Sequence, residues 1–186
     1  MSHKNENIDV LLHGCLEGKQ SAQLEVYNRY YRAMYNTAFR IVKDSMEAED
    51  IMQESFLSAF TKLDSYKWEV TFGAWLKRIV VNNSIQHYRK QQKNNTVEIN
   101  EVLYKVEDTN GVDLDDGSTE HKAQKVLETM KTLKDSYRIS LTLFLIEGYD
   151  YEEIGEIMNM SYASCRTTIS RAKESLRKKI LISARL

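Results

Sequence analysis

Proline is missing from all 186 residues, so no helix of this chain is broken by a ring that removes an N–H donor. Cysteine is nearly missing as well. Cys15 and Cys165 each fall on an apolar stripe at helical spacing and read as small buried hydrophobes. His3, His13, His87 and His121 are scattered, with no metal-ligand spacing to either cysteine, and no cofactor is expected. There is no nucleophile elbow, phosphate loop or paired-ligand motif, which makes enzymatic activity the weakest class of reading. No run is apolar enough to span a membrane, and the polar start MSHKNENID has no signal-peptide core. Cytoplasmic residence without membrane insertion is the expectation.

Excess charge is missing too: 26 Lys and Arg against 27 Asp and Glu leave a net charge of −1. The balance hides an uneven distribution. Residues 94–120 hold Glu98, Glu101, Glu107, Asp108, Asp113, Asp115, Asp116 and Glu120 against the single Lys105, with Gly111 and Gly117 and little regular period. This stretch reads as an acidic flexible linker with one short ordered piece at residues 102–106. From Ser161 to Leu186, by contrast, the only acid is Glu174. A DNA binder so close to neutral holds free duplex weakly, because backbone affinity scales with the phosphates neutralised. It is expected to work on a larger DNA-binding machine.

What the chain has in abundance is helical period, in two blocks. The expected fold is all-α, with small helical domains at residues 1–93 and 121–186 on either side of the 94–120 linker. In the second block, Val126, Leu127, Met130 and Leu133 mark an amphipathic helix, and an apolar helix over residues 139–147 follows. Gly148 then ends a helix, Asp150 with Glu153 forms a capping box, and Ile154, Ile157 and Met158 give a short helix its apolar stripe. Gly155 is expected to let another helix approach closely. After the turn Asn159-Met160, Ser161 caps a helix in which Cys165, Ile169, Ala172 and Leu176 recur on one face. That is a helix-turn-helix pattern. Its outer face carries Ser164, Arg166, Thr167, Ser170 and Arg171, groups that reach base edges and phosphates from a major groove. Lys173, Arg177, Lys178 and Lys179 continue the positive charge. A solvated amphipathic helix with an ordinary basic end is the alternative.

In the first block, Ile8, Leu11, Leu12 and Cys15 mark a short helix closed by Gly18. Ser21 is expected to cap a longer one with Leu24, Tyr27, Tyr31, Met34, Ala38 and Ile41 inside. Asp44 and Glu47 make a capping box for a helix to about Leu63, whose inner face is Ala48, Ile51, Met52, Ser55, Phe56 and Ala59. Outside stand Asp50, Gln53, Glu54 and Leu57, either a docking stripe for a basic partner helix or a solvated face with a stray leucine. Residues 64–70 break the period and place Tyr66 and Trp68 in a loop beside Lys67. Each ring either stacks on an unpaired base or folds back to cap the core. A last helix has Phe72, Trp75, Leu76 and Ile79 inside and Lys77, Arg78, Arg89, Lys90 and Lys93 outside, with Asn82 and Asn83 able to offer amides to a base edge.

Three stretches in order, AEDIMQESFLSAFTKLDSY, FGAWLKRIVVN and YDYEEIGEIMNMSYASCRTTISRAK, resemble a bacterial extracytoplasmic-function (ECF) sigma factor of the sigma-70 family, the compact type with regions two and four. The likeness covers nearly the whole chain. It implies binding to core RNA polymerase, selection of promoter DNA and help in melting it, with an anti-sigma factor as a further partner. It places Asp50, Gln53, Glu54 and Leu57 in the region that docks on the polymerase. It puts Tyr66, Lys67, Trp68 and Asn82 at the pocket for an unstacked minus-ten base. Arg166, Thr167, Ser170 and Arg171 match residues that meet the minus-thirty-five element. Departures from the family pattern are Thr168 and Gln86, where arginine and aspartate are frequent, and a missing proline at Leu133-Lys134-Asp135. A stand-alone helix-turn-helix regulator and a protein-only anchor are the rival readings.

Overall fold

The computed structural model describes residues 7–95 and 119–183, and every regular element in them is helical. The expected linker lies almost wholly outside the described residues. The chain forms two compact units, divided between Lys93 and Asn94.

The first unit contains α1 (Ile8–Leu16), α2 (Gln20–Val42), α3 (Ser45–Thr61), a 3-10 turn at Leu63–Ser65, and α4 (Phe72–Asn95). Gly18 closes α1 at φ +76, where a side chain would be strained. Helix α2 packs on α1 and α3, and the shared core includes Leu12, Val26, Ala38, Ile51, Phe56, Leu76 and Val80. The cap of α2 is Lys19 rather than Ser21, without a side-chain hydrogen bond. Its buried stripe starts at Ala22 and Val26, because α1 crosses there and a Cβ on Gly14 would meet the Ala22 Cβ at 2.9 Å. Leu24 is two residues on, about 200° round the helix from Ala22, and is therefore exposed, as is Tyr31.

In α3 the inner face is buried as the period predicts. Asp44 accepts from the Glu47 N–H at 2.9 Å, but the Glu47 carboxylate does not complete the box. It turns to α4, where it accepts from Gln91 and lies 3.6 Å from His87 Nδ1. Asn83 adds a second tie by donating to Ser55 Oγ at 2.9 Å. The buried face of α4 is also broader than expected, since Val80, Val81 and Ile85 join it.

The second unit contains α5 (Thr119–Lys131), α6 (Asp135–Leu141) running into a π-turn at Thr142–Ile146, α7 (Tyr151–Met158) and α8 (Tyr162–Ser183). Leu133 lies beyond the end of α5, and Leu127 is 40% exposed rather than inside. Helix α6 starts without a side-chain cap; Asp135 in its first turn accepts from the buried Arg138 at 3.2 and 3.3 Å. The π-turn ends at Gly148, φ +81, and the Tyr149 N–H donates back to the Leu143 carbonyl at 3.0 Å. Helices α5, α6 and α7 all pack on α8.

Asp150 accepts from the N–H groups of Glu152 and Glu153 at 2.9 and 2.8 Å, and Glu153 closes the box on the Asp150 N–H at 3.0 Å. Asn159 then takes the left-handed conformation at φ +52. The close approach at Gly155 comes from the turn itself and not from a neighbouring helix: a Cβ there would meet the Met160 carbonyl oxygen at 2.9 Å. That same turn is held by the Met160 N–H donating to the Gly155 carbonyl at 2.8 Å. Asp150→Ala should destabilise the second unit by about 1 kcal/mol, while Asp150→Asn, an equivalent cap, keeps most of the stability. Urea unfolding followed by circular dichroism checks the order; equal midpoints for wild type and Asp150→Ala would show that the cap contributes nothing.

Candidate nucleic-acid interface

The second helix of the helix-turn-helix is set by its N-terminus and its inner stripe. Ser161 Oγ accepts from the Ser164 N–H at 3.2 Å and lies 2.9 Å from Ser164 Oγ. Cys165, Ile169, Ala172 and Leu176 are buried against the unit's core. Burial pushes the Cys165 thiol up, as it does Cys15, which suits inert packing groups. With that face fixed, Ser164, Arg166, Thr167, Ser170 and Arg171 all stand exposed on the other side. Neither Arg166 nor Arg171 has a hydrogen-bond or ion-pair partner among the described residues. Thr167 donates its hydroxyl to the Ala163 carbonyl at 2.8 Å, which leaves lone pairs and a methyl facing outward.

The cations farther along are not equivalent, contrary to a continuous phosphate-facing row. Lys173 Nζ lies 4.1 Å above the Phe144 ring centroid, so its charge is directed at the π-turn. Lys178 pairs with Glu174 at 2.9 Å, and its hydrogen bond holds that carboxyl below the usual range. Lys179 donates to the Thr132 carbonyl at 2.8 Å. Tyr162, missed by the sequence pattern, is half exposed at the start of α8 and ends an aromatic row in which Phe144, Tyr151 and Tyr162 follow at 5.1 and 6.0 Å. An aromatic directly after a capping serine is the signal that would have found it.

The loop after α3 separates its two aromatics. Tyr66 folds inward, packing at 5.2 Å from Trp75 and 5.9 Å from Phe72, and its hydroxyl donates to the Val70 carbonyl. Desolvation raises its phenol. Trp68 remains 45% exposed, with a ring centroid 4.9 Å from Tyr66, and Lys67 is exposed beside it. On α4, Asn82 is exposed and its amide makes no hydrogen bond among the described residues, whereas Asn83 is committed to Ser55.

On α3, Asp50, Gln53, Glu54 and Leu57 are all exposed, with Leu57 at 69%. Gln53 donates to Glu49 at 3.3 Å. Met46, 76% exposed and eleven residues before Leu57, lies on the same helical face, within the capped first turn of α3, and lengthens the apolar edge that the sequence reading had ended at Leu57.

A helix-turn-helix with small polar groups and uncommitted arginines on its second helix defines a DNA-binding module. The comparisons narrow the class. Residues 26–94 match the model of Sigma-70 region 2, and residues 123–176 match that of Sigma-70, region 4. The ECF RNA polymerase sigma factor SigW of Bacillus subtilis is 30% identical over 176 residues, covering 88% of this chain and 91% of that protein. SigM of the same organism, also an ECF sigma factor, is 31% identical over 153 residues, covering 82% and 91%. The structure of the sigma factor RpoE in complex with the anti-sigma factor NepR from Bartonella quintana shares the fold, with a TM-score of 0.55 at 22% identity over 85% of this chain and 96% of that one. This chain belongs to the ECF sigma factors of the sigma-70 family: it directs RNA polymerase to promoters to initiate transcription, and it is not an enzyme.

Because Lys173 is engaged by Phe144, Lys173→Met should leave the salt dependence of promoter binding unchanged and cost about 0.5–1 kcal/mol of stability. Arg177→Ala, by contrast, should lower the slope of log affinity against log salt by about one phosphate. Titrations of promoter DNA with the holoenzyme at several salt concentrations distinguish the two; a slope change for Lys173→Met equal to that for Arg177→Ala would refute the assignment.

Proposed function

We propose that the chain works in the cytoplasm as three surfaces on two domains, residues 1–93 and 121–186, tethered by an acidic linker at 94–120. The reading rests first on one observation: the whole outer face of α8, from Ser164 to Arg171, is exposed while its opposite face is buried. Arg166 and Arg171 make forked contacts in the major groove of the minus-thirty-five element, and Ser164, Thr167 and Ser170 accept or donate at neighbouring edges. Asp50, Gln53, Glu54 and Leu57, extended by Met46, dock on core RNA polymerase; the carboxylates give the encounter its direction and the apolar side chains its hold.

Trp68 is the stacking surface for a base unstacked from the minus-ten element, with Lys67 near the backbone and Asn82 at the base edge. Tyr66 supports the loop from within. Extruding a base costs a few kcal/mol, and one aromatic stack returns about 1–3 of them, so Trp68 offsets part of the melting cost. Polymerase holds both DNA readers at fixed separation, and tethering supplies the effective concentration that each lacks alone. The solved relative carries an anti-sigma factor, and its fold is shared here. An anti-sigma protein that covers the α3 stripe would keep this chain from polymerase.

Run-off transcription with core RNA polymerase and fragmented genomic DNA tests the docking surface and yields the promoters. Transcripts should appear with the intact chain and disappear with Asp50→Ala/Glu54→Ala, which also fails to co-elute with core. A double variant that still transcribes normally would remove α3 from the interface. On a promoter so recovered, Trp68→Ala should slow strand opening about tenfold with little loss of closed complex, the scale of one stacked base. Arg171→Ala should weaken closed-complex binding itself by about 1–3 kcal/mol. Equal loss of closed complex in both variants would show that the loop is misassigned.

A further inference from the structure

Trp68 occupies the left-handed backbone region at φ +62, where a bulky L-residue is strained. Such a residue persists only where its surroundings hold it. Two side chains do so. Tyr66, itself pinned by the core and by Val70, lies 4.9 Å from the indole at 42°. His13 of α1 lies 5.5 Å from it at 30°, a tilted ring contact between segments 55 positions apart in the chain. The imidazole is fixed in turn: its Nδ1 is 2.7 Å from the Asp9 carbonyl oxygen. A carbonyl only accepts, so Nδ1 carries the proton, and both the neutral and the charged ring keep that bond. Helix α1 also packs against the 3-10 turn from which the loop departs.

We infer that His13 is a positioning residue which braces the Trp68 indole from α1, so that the loop presents an ordered stacking surface before a base arrives. The inference rests on the reading of Trp68 as the base-stacking residue. An unbraced indole would have to be ordered during strand opening, and that entropy would slow the step. The brace acts on the free chain, so its effect is visible without DNA.

Trp68 and Trp75 are the only tryptophans, so Trp75→Phe isolates the Trp68 signal in the full-length chain. In that background His13→Ala should increase acrylamide quenching and lower the fluorescence anisotropy of Trp68, and His13→Phe should restore both. With core RNA polymerase and a promoter recovered as above, His13→Ala should slow strand opening about three- to tenfold, the scale of ordering one aromatic side chain, at unchanged closed-complex affinity. His13→Phe should recover the rate. Unaltered Trp68 fluorescence and unaltered opening in His13→Ala, beside slow opening in Trp68→Ala, would overturn the brace alone. If Trp68→Ala itself opens DNA normally, the base-stacking assignment falls and the inference falls with it.

Discussion

Packing of the Cys165, Ile169, Ala172 and Leu176 stripe against the rest of its unit fixes the rotation of α8 about its own axis. Each residue turns the helix by about 100°, so a slip of one position would bring Arg166 or Arg171 toward the core and carry an apolar side chain into the exposed row. Specific contact with DNA therefore depends on an apolar interaction that never touches it. The same dependence holds at the N-terminal end. Gly155, closed over by Met160, and Asn159 at φ +52 set where α7 stops, and Ser161 sets where α8 begins.

The first unit uses burial in a parallel way. Ala48, Ile51, Met52, Ser55, Phe56 and Ala59 seat α3, and their burial leaves Asp50, Gln53, Glu54 and Leu57 as the opposite row. Polar ties between α3 and α4 keep that seating specific, because the Asn83–Ser55 and Gln91–Glu47 hydrogen bonds form only when the two helices are in register. The loop between them is anchored at Tyr66 and displayed at Trp68. One aromatic gains its stability from the core while its neighbour remains 45% exposed, and neither alone would make a loop both ordered and accessible.

Helix periods, caps and buried stripes were legible wherever the signal was local. The Asp150–Glu153 box, Ser161 and the inner faces of α3 and α8 follow from spacing alone. Errors arose where a neighbouring element decided the outcome. Leu24 and Tyr31 lie outside because α1 crosses α2 at Ala22, and Glu47 abandons its capping box for Gln91 on α4. The outer rows at α3 and α8 were legible because exposure is the complement of a readable stripe. The inward turn of Tyr66 and the contact of His13 with Trp68 were not, since no local period joins a loop to a helix about fifty residues earlier.

The cations of α8 explain why a nearly neutral chain can still read a promoter. Lysine is a compact charge on a flexible stem, and three lysines of this helix are spent on internal contacts with Phe144, Glu174 and Thr132. Arginine carries a planar fork suited to paired acceptors, and Arg166 and Arg171 are without partners among the described residues. Charge committed to the fold adds little to non-specific attraction, which grows with the phosphates neutralised. On the proposed assignment, the helix thus holds its forked groups ready while its general attraction for DNA stays small. For a protein that acts on polymerase this division is advantageous: a strongly basic helix would be held on any duplex, whereas one with few spare cations binds firmly only where base contacts and polymerase act together.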